Sequence, residues 1–107
     1  MNITPKEASA LLSGDMSIVV LDVRTPEEYH GETGHLRNAI LIPVQELKAR
    51  FVELEKVRES TILVYCRSGH RSLHAVNILS KKGFKPINLE GGILQWQRDS
   101  LEVVREK

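Results

Sequence analysis

Cysteine is scarce in this sequence of 107 residues, which contains only Cys66. A single thiol cannot close a disulfide bond within the chain, so the fold does not depend on oxidation. This favours a reducing compartment, and we expect a cytoplasmic location. No apolar run approaches the roughly 20 residues needed to cross a bilayer. Residues 1–6 lack the basic and apolar regions of a signal peptide. We therefore expect no membrane association.

A large excess of charge of either sign is also missing, because the formal net charge is +1. Such a balance gives no reason to expect nucleic acid or an acidic membrane as a partner. Hydrophobic residues make up 41% and charged residues 27%, which is ordinary for a globular protein. A chain of this length builds one core rather than two, so we predict one domain of residues 1–107. No exposed apolar stripe stands out, and we expect a monomer or a weak homodimer.

Short apolar runs rich in β-branched residues alternate with helix-like segments along the chain. The runs predict strands at residues 18–21, 40–42, 61–65 and 86–89. Continuous apolar runs are typical of strands that are covered on both faces. The pattern predicts a three-layer α/β domain, in which helices cover both faces of a small, mainly parallel sheet of about five strands.

Two helix starts carry capping boxes, which begin at Thr4 and Thr25 and place proline at the first helical position. Helical spacing predicts another helix over residues 44–57. A helix of about ten residues follows the cysteine loop and ends at Gly83. Its expected apolar face consists of Leu73, Val76, Ile78 and Leu79. The last predicted helix carries Trp96, which we expect in the core.

The cysteine begins a loop of residues 66–72, between the strand predicted at residues 61–65 and the next helix. In open α/β sheets, ligands bind at the carboxyl ends of the strands. A strand that turns sharply into a helix points backbone N–H groups, and the positive helix end, at one spot. Gly69 supplies the backbone freedom that such a curl requires. We therefore expect Cys66 to lie at the centre of an anion cradle.

Positive side chains flank the thiol in this loop. Together with the N–H groups they favour thiolate over thiol, so Cys66 is predicted to be a nucleophile of low pKa. If it attacks a sulfur donor, the product is a persulfide whose terminal sulfur the same N–H groups hold. We expect Arg71 to point inward and close the cradle, whereas the sequence leaves the direction of Arg67 open. The predicted cradle residues are Arg67, Ser68, Gly69, His70 and Arg71.

The same residues have other interpretations. Cys66 can be a buried structural cysteine, because a free cysteine packs like a small hydrophobe, and the two arginines can be solvated surface charges. His70 can act as a general base for the thiol, or can join His74 and Cys66 in a partial metal site. Three ligands without a fourth in reach fit zinc poorly, and we predict no metal.

Polar residues outside the loop are expected to support it. Asp22 and Arg24 end a strand that is predicted to neighbour the cysteine strand, on the same edge of the sheet. We expect the Asp22 carboxylate to orient the cradle through hydrogen bonds, with Arg24 and Ser72 in supporting positions. Residues 90–92 follow the last strand and are expected to form one wall of the site.

Over nearly its full length, the chain resembles the single-domain rhodanese family, whose members are thiosulfate sulfurtransferase-like. The resemblance is carried by four pieces in the family's order: residues 21–29 (Leu-Asp-Val-Arg-Thr-Pro-Glu-Glu-Tyr), 34–43, 66–72 (Cys-Arg-Ser-Gly-His-Arg-Ser) and 89–96. It implies a sulfurtransferase in which Cys66 carries sulfane sulfur from a small donor to a thiophilic acceptor, such as cyanide or a protein thiol. It also implies that no metal or organic cofactor is needed.

Two positions depart from this family's pattern. Thiosulfate-preferring members tend to carry a lysine two residues after the cysteine, where this chain has Ser68. That difference weakens the case for thiosulfate as the donor and leaves polysulfides and persulfides as candidates. Where many relatives have Pro-Gly-Ala, this chain has residues 37–39 (Arg-Asn-Ala), which we interpret as a local change of turn.

Two other function classes share this type of frame. Cysteine-dependent phosphatases and arsenate reductases place five residues between the cysteine and an arginine, whereas four separate Cys66 from Arg71. The tighter ring suits one sulfur atom better than a tetrahedral oxyanion. A rhodanese-like interaction module without activity is the non-enzyme alternative. Such modules often lack the cysteine that this chain retains.

Overall fold

The computed structural model describes residues 2–15 and 17–105. Five strands form one sheet in the order β1-β5-β4-β2-β3, and each neighbouring pair is parallel. The strands are β1 (Asn2–Ile3), β2 (Val19–Asp22), β3 (Ile40–Leu41), β4 (Thr61–Tyr65) and β5 (Lys85–Leu89). The helices are α1 (Pro5–Gly14), α2 (Pro26–Tyr29), α3 (Leu47–Arg50), α4 (His70–Lys81) and α5 (Gly92–Arg98). The predicted α/β class and parallel sheet are confirmed, whereas the two-residue strand β1 was not predicted.

Both predicted capping boxes are present. Thr4 Oγ1 accepts a hydrogen bond from the Glu7 amide (3.2 Å), and the Glu7 carboxylate accepts one from the Thr4 amide (2.9 Å). Thr25 and Glu28 exchange the same pair of bonds at 3.2 and 3.1 Å. These bonds satisfy amide groups that the first turn of a helix leaves without intrahelical partners.

The single helix predicted over residues 44–57 is wrong. Val44–Glu46 and Phe51–Val57 are 3₁₀ helices, and only the four residues of α3 between them are α-helical. Phe51, Leu54 and Val57 lie three positions apart and all pack into one core cluster. That spacing suits a helix of three residues per turn as well as it suits an α-helix. The hydrophobic pattern specified the buried face but not the hydrogen-bonding period.

Two apolar cores lie on opposite faces of the sheet, because successive strand residues point to opposite sides. Ile62, Val64 and Cys66 contribute to the core beneath α3 and α4, whereas Leu63 and Tyr65 contribute to the core beneath α1 and α5. Trp96 is buried in the second core, as predicted. The cysteine thus continues the alternation of β4 beyond the end of the strand.

Helix α4 begins earlier than predicted, and it buries Val76, Ile78 and Leu79 of the predicted apolar face but not Leu73. Ser72, Ala75, Val76 and Leu79 form its buried stripe, with Ile78 beside it. Leu73 is 44% exposed, so its predicted place on the apolar face is wrong. The stripe at positions 72, 75, 76 and 79 has helical spacing, and Leu73 lies about 100° away from Ser72 around the axis. Gly83 follows the helix with a φ of 87°, as its predicted role as a stop requires.

The described part of the tail lies against the loop after α2, whereas residues 106–107 lie outside the described residues. His35 and Val104 exchange backbone hydrogen bonds of 2.9 and 2.7 Å in an antiparallel bridge. The Trp96 indole donates to the carbonyl of Glu102 (2.8 Å). Among residues 2–15 and 17–105, no helix has the length and apolar character needed to cross a membrane.

Candidate active site

Cys66 follows the last residue of β4, which lies between β5 and β2 in the sheet. The side chain is 1% exposed, so its sulfur is recessed at the base of the loop that leads into α4. This position at the carboxyl edge of a parallel sheet agrees with where ligands bind in open α/β domains. A reactant has to approach the sulfur through the mouth of the loop.

Backbone amides and one hydroxyl converge on the sulfur. The Gly69 amide donates to Cys66 Sγ at 3.1 Å, and the Ser72 amide does so at 3.4 Å. Ser72 Oγ lies 3.4 Å from the sulfur and 3.1 Å from the Gly69 carbonyl oxygen, to which it donates. Gly69 has a φ of 111°, a backbone conformation that favours glycine, and it caps α4.

The pKa of the Cys66 thiol is lowered by this environment. Burial raises the pKa. The hydrogen bonds from the Ser72 hydroxyl and from the amides of Ser72, Gly69 and Ser68 lower it by more than burial raises it. As a thiol, Cys66 can donate its proton to Ser72 Oγ. As a thiolate it can accept the hydroxyl proton of Ser72 after a rotation of that group. The loop therefore favours a sulfur anion in a partly apolar recess, which is the state required of a nucleophile.

Arg71 forms an ion pair with Glu28 of α2. Its Nη1 and Nη2 donate to Oε1 and Oε2 of Glu28 at 2.7 and 2.8 Å. The Arg71 hydrogen bonds lower the pKa of the Glu28 carboxyl to about 2. The hydrogen bonds that Arg71 donates to Glu28 raise the pKa of Arg71, and the charge of Cys66 adds to that effect. Arg71 is thus tethered to α2 with 36% of its side chain exposed, and its closure of the cradle stays a prediction.

The other predicted cradle residues form the rim. Arg67, Ser68 and His70 are exposed, and Ser68 Oγ lies 3.5 Å from His70 Nδ1. His74 lies one turn further along α4 and is also exposed. Within residues 2–15 and 17–105, no group of three or more His, Cys, Asp or Glu side chains is arranged to hold a metal ion.

Asp22 and Arg24 form a buried pair beside the loop, with 0% and 1% of their side chains exposed. Arg24 donates to both carboxylate oxygens of Asp22, at distances between 2.7 and 3.1 Å. Its Nη2 also donates to the Gly34 carbonyl oxygen (2.7 Å). Such additional hydrogen bonds are needed to offset the desolvation of a buried ion pair.

Tyr65 connects this pair to the cysteine, and the sequence reasoning did not single it out. Its hydroxyl donates to Asp22 Oδ2 (2.7 Å) and accepts a hydrogen bond from the Leu36 amide (3.0 Å). Burial, followed by the charge of Asp22, raises the pKa of the Tyr65 phenol, so the hydroxyl keeps its proton. Asp22 thus contacts the residue before Cys66 rather than the cradle amides. The hydroxyl of Tyr65, at the end of an otherwise apolar strand, is the sequence feature that could have identified this residue.

The start of α5 forms the expected wall. The amides of Ile93 and Leu94 donate to the carbonyl oxygens of Cys66 (3.0 Å) and Arg67 (3.2 Å). Gly92 has a φ of 62°, and a Cβ there would lie 2.6 Å from the Cys66 carbonyl oxygen. The first turn of α5 therefore holds the loop carbonyls on one side, which leaves the loop amides available to the sulfur.

Known proteins are similar to this chain in sequence and in fold. Residues 4–99 match the Rhodanese-like domain family. A sulfurtransferase of Allochromatium vinosum is 33% identical over 103 residues, which cover 95% of this chain and 92% of the relative. Thiosulfate sulfurtransferase PspE of Escherichia coli is 38% identical over 73 residues, which cover 68% of each chain. Some relatives are longer, since the chain spans 22% of a probable molybdopterin-synthase adenylyltransferase of Porphyra purpurea.

Solved structures agree with the sequence match. A rhodanese-related protein from Thermoplasma volcanium superimposes with a TM-score of 0.88 at 34% identity, over 98% of both chains. The family match and the relatives named as sulfurtransferases support sulfur transfer as the general class of activity. The chain belongs to the rhodanese-like domain family.

Proposed function

We propose that this protein is a sulfurtransferase of one domain, residues 1–107, in which Cys66 carries sulfane sulfur as a persulfide. The observation that carries the proposal is the convergence of the Gly69 and Ser72 amides on the Cys66 sulfur, at 3.1 and 3.4 Å. These donors, which lower the thiol pKa, can also hold the additional anionic sulfur of a persulfide. No organic cofactor takes part in the proposed reaction.

The proposed reaction has two displacement steps. The Cys66 thiolate attacks the outer sulfur of the donor and forms a Cys66 Sγ–S bond. The donor's own sulfur–sulfur bond breaks, and the leaving group departs with the electron pair as sulfite, a thiolate or, from a polysulfide, the shortened polysulfide anion. An acceptor, such as cyanide or a thiolate, then attacks the terminal sulfur. The Cys66 thiolate leaves in turn and is regenerated.

The donor class follows from the rim of the loop. Ser68 stands two residues after the cysteine and supplies a hydroxyl instead of a cation. The guanidinium of Arg71, whose side chain is 36% exposed, is paired with Glu28. This arrangement provides less positive charge for the two negative charges of thiosulfate, so we propose polysulfides and persulfides as donors alongside it. The cytoplasmic location and the monomeric or weakly dimeric state stay predictions.

Persulfide formation can be measured directly. Incubation with thiosulfate, and separately with polysulfide, should add one sulfur atom to the intact mass of the protein. Addition of cyanide should remove that sulfur and release thiocyanate. Cys66→Ser should neither gain the mass nor produce thiocyanate.

Either of two results would show that this proposal is wrong. If neither donor loads Cys66 and no thiocyanate forms, the protein acts as a binding module of the same fold. If p-nitrophenyl phosphate or arsenate is turned over instead, the argument from the four-residue spacing of the loop is wrong.

A further inference from the structure

A positively charged groove lies between α3 and α4, away from the cysteine. Its volume is about 500 Å³, and its lining consists of Lys48, His74, Asn77, Ile78, Lys81 and Lys82. Three lysines face this space, and the lining drawn from the described residues includes no carboxylate. In a chain whose formal net charge is only +1, the groove is a local concentration of positive charge.

Leu73 lies on α4 after His70, the first residue of the helix, and directly before His74, which lines the groove. It is 44% exposed, whereas Val76, Ile78 and Leu79 of the same helix are buried. The path along α4 from His70 to Lys81 is about 16 Å long, at 1.5 Å per residue. An exposed apolar side chain beside a charged surface can pack against a partner protein whose charges complement that surface. We call Leu73, Lys48, His74, Lys81 and Lys82 the α4 face.

We infer that the α4 face docks an acidic partner protein, which presents a cysteine thiol to the Cys66 persulfide. The inference rests on the proposed function and names its acceptor. Because Cys66 is 1% exposed, the acceptor thiol has to enter the mouth of the loop on an extended segment. Acidic residues about 16 Å from that thiol would then lie over the lysines, while an apolar residue covers Leu73.

The transfer step at this face balances without a further reactant. The partner thiolate attacks the terminal sulfur of the Cys66 persulfide, and the Cys66 Sγ–S bond breaks. Cys66 leaves as the thiolate, and the partner becomes the persulfide.

Local structural roles account for only part of the α4 face. Lys81 interacts favourably with the C-terminal end of α4. Lys82 Nζ lies 4.9 Å from the centre of the Phe51 ring, as a cation–π contact. Lys48 likewise lies in the last turn of α3. The exposed Leu73 has no comparable role among the contacts of the described residues. An acidic protein fits this short, mixed surface better than a nucleic acid, which needs a longer basic track.

Two synthetic peptides test the charge component. Each contains one cysteine, and a flexible spacer separates it from either four glutamates or four serines. With persulfide-loaded protein, we expect the glutamate peptide to accept sulfur about tenfold faster in kcat/KM at low salt. The advantage should shrink as salt is added. In the variant K48E/K81E it should disappear, whereas cyanide turnover stays at the wild-type rate.

Matched variants separate the α4 face from net charge and from folding. K6E/R98E makes the same charge change at exposed positions of α1 and α5, and should keep the advantage of the glutamate peptide. For the apolar component, a second pair of peptides carries a leucine directly after the cysteine, and Leu73→Ser should slow transfer to both of them. Leu11→Ser alters another exposed leucine, on α1, and should have no effect.

The outcomes separate the two proposals. Equal rates for both peptides, or equal losses in K48E/K81E and K6E/R98E, overturn the docking inference while persulfide loading and cyanide turnover stand. Absence of loading overturns the function and the inference together. A third result would show that the face binds nucleic acid and that the inference is wrong. In that case a duplex oligonucleotide inhibits cyanide turnover, K48E/K81E relieves the inhibition, and the two peptides accept sulfur at equal rates.

Discussion

Tyr65 donates its hydroxyl proton to Asp22 Oδ2 over 2.7 Å, and these two residues are register partners on adjacent parallel strands. The bond ties the end of β4, where Cys66 begins the loop, to the end of β2. The same hydroxyl accepts from the Leu36 amide, which anchors the loop before β3. Three segments that are distant in sequence thus meet at one buried oxygen atom, directly beside the candidate nucleophile.

We expect Tyr65→Phe to lower the free energy of unfolding by about 2–3 kcal/mol. The substitution keeps the buried ring but leaves a carboxylate oxygen with one donor fewer and the Leu36 amide without its partner. Chemical denaturation at pH 7 measures the change. Tyr29→Phe removes a half-buried hydroxyl that donates to the Ala39 carbonyl oxygen, and should cost about 1 kcal/mol. Equal losses in both variants would contradict the special role of Tyr65.

We expect Gly92→Ala to lower the free energy of unfolding by about 2–4 kcal/mol, because the methyl group enters the space of two carbonyl oxygens at a positive φ. The carbonyls belong to Cys66 and Arg67, so the loop should shift and persulfide formation should slow. Denaturation and the rate of sulfur loading report the two effects. Gly14→Ala is the control, since a Cβ there meets nothing within 4 Å. A Gly92→Ala protein with wild-type stability would refute the close approach.

The Glu28–Arg71 ion pair should make stability depend on acid pH. Because the pKa of Glu28 in the folded protein is about 2, below its ordinary value of 4.5, the pair stabilises the fold above pH 4.5. That contribution is lost as the pH falls through about 2. Glu28→Gln should lower stability by about 1–2 kcal/mol at pH 7. It should also remove part of the decline in stability between pH 4.5 and 3.

Denaturation of Glu28→Gln at pH 7, 4.5 and 3 tests this prediction. Glu27→Gln makes the same charge change in the same first turn of α2, where both carboxylates interact favourably with the helix end. Unlike Glu28→Gln, it should leave the acid dependence close to that of the wild type. Parallel pH profiles for all three proteins would rule out the proposed energetic role of the pair.

Removal of the Ser72 hydroxyl should raise the pKa of Cys66 above its value in the wild-type protein. The hydroxyl is one of the groups that lower this pKa, whereas burial, which raises it, is unchanged by Ser72→Ala. The pH profile of alkylation by iodoacetamide should therefore shift to higher pH, with slower reaction at pH 7. The amides of Gly69 and Ser72 remain, so the shift should be partial. Ser80→Ala, on an exposed position of the same helix, should leave the profile in place.

Local patterns allowed good predictions where the determining interactions span three or four residues. The capping boxes at Thr4 and Thr25 are of this kind, because a threonine and a glutamate three positions later satisfy each other's amides. The strand at residues 61–65 agrees with β4, since its continuous apolar run is buried on both faces. The residues of the cysteine loop could likewise be identified from their order along the chain.

Interactions between distant segments could not be read in this way. Tyr65 meets Asp22, and Arg71 meets Glu28, across 43 residues in each case. The 3₁₀ geometry around residues 51–57 and the exposure of Leu73 also depend on which neighbours the chain finds after folding. A hydrophobic pattern marks residues for burial, but the packed structure decides which of them are covered.

The sequence by itself determined the fold class, the places of β2 to β5 along the chain, and the loop with its lone cysteine, because each depends on short-range patterns of polarity and turn chemistry. Only the tertiary structure decided which partners the charged groups have. It tied Arg71 to Glu28, and it placed Asp22 against Tyr65 instead of the cradle. The physical reason is that electrostatic and hydrogen-bond interactions depend on distance in space and on burial, and the sequence specifies these only through the completed fold.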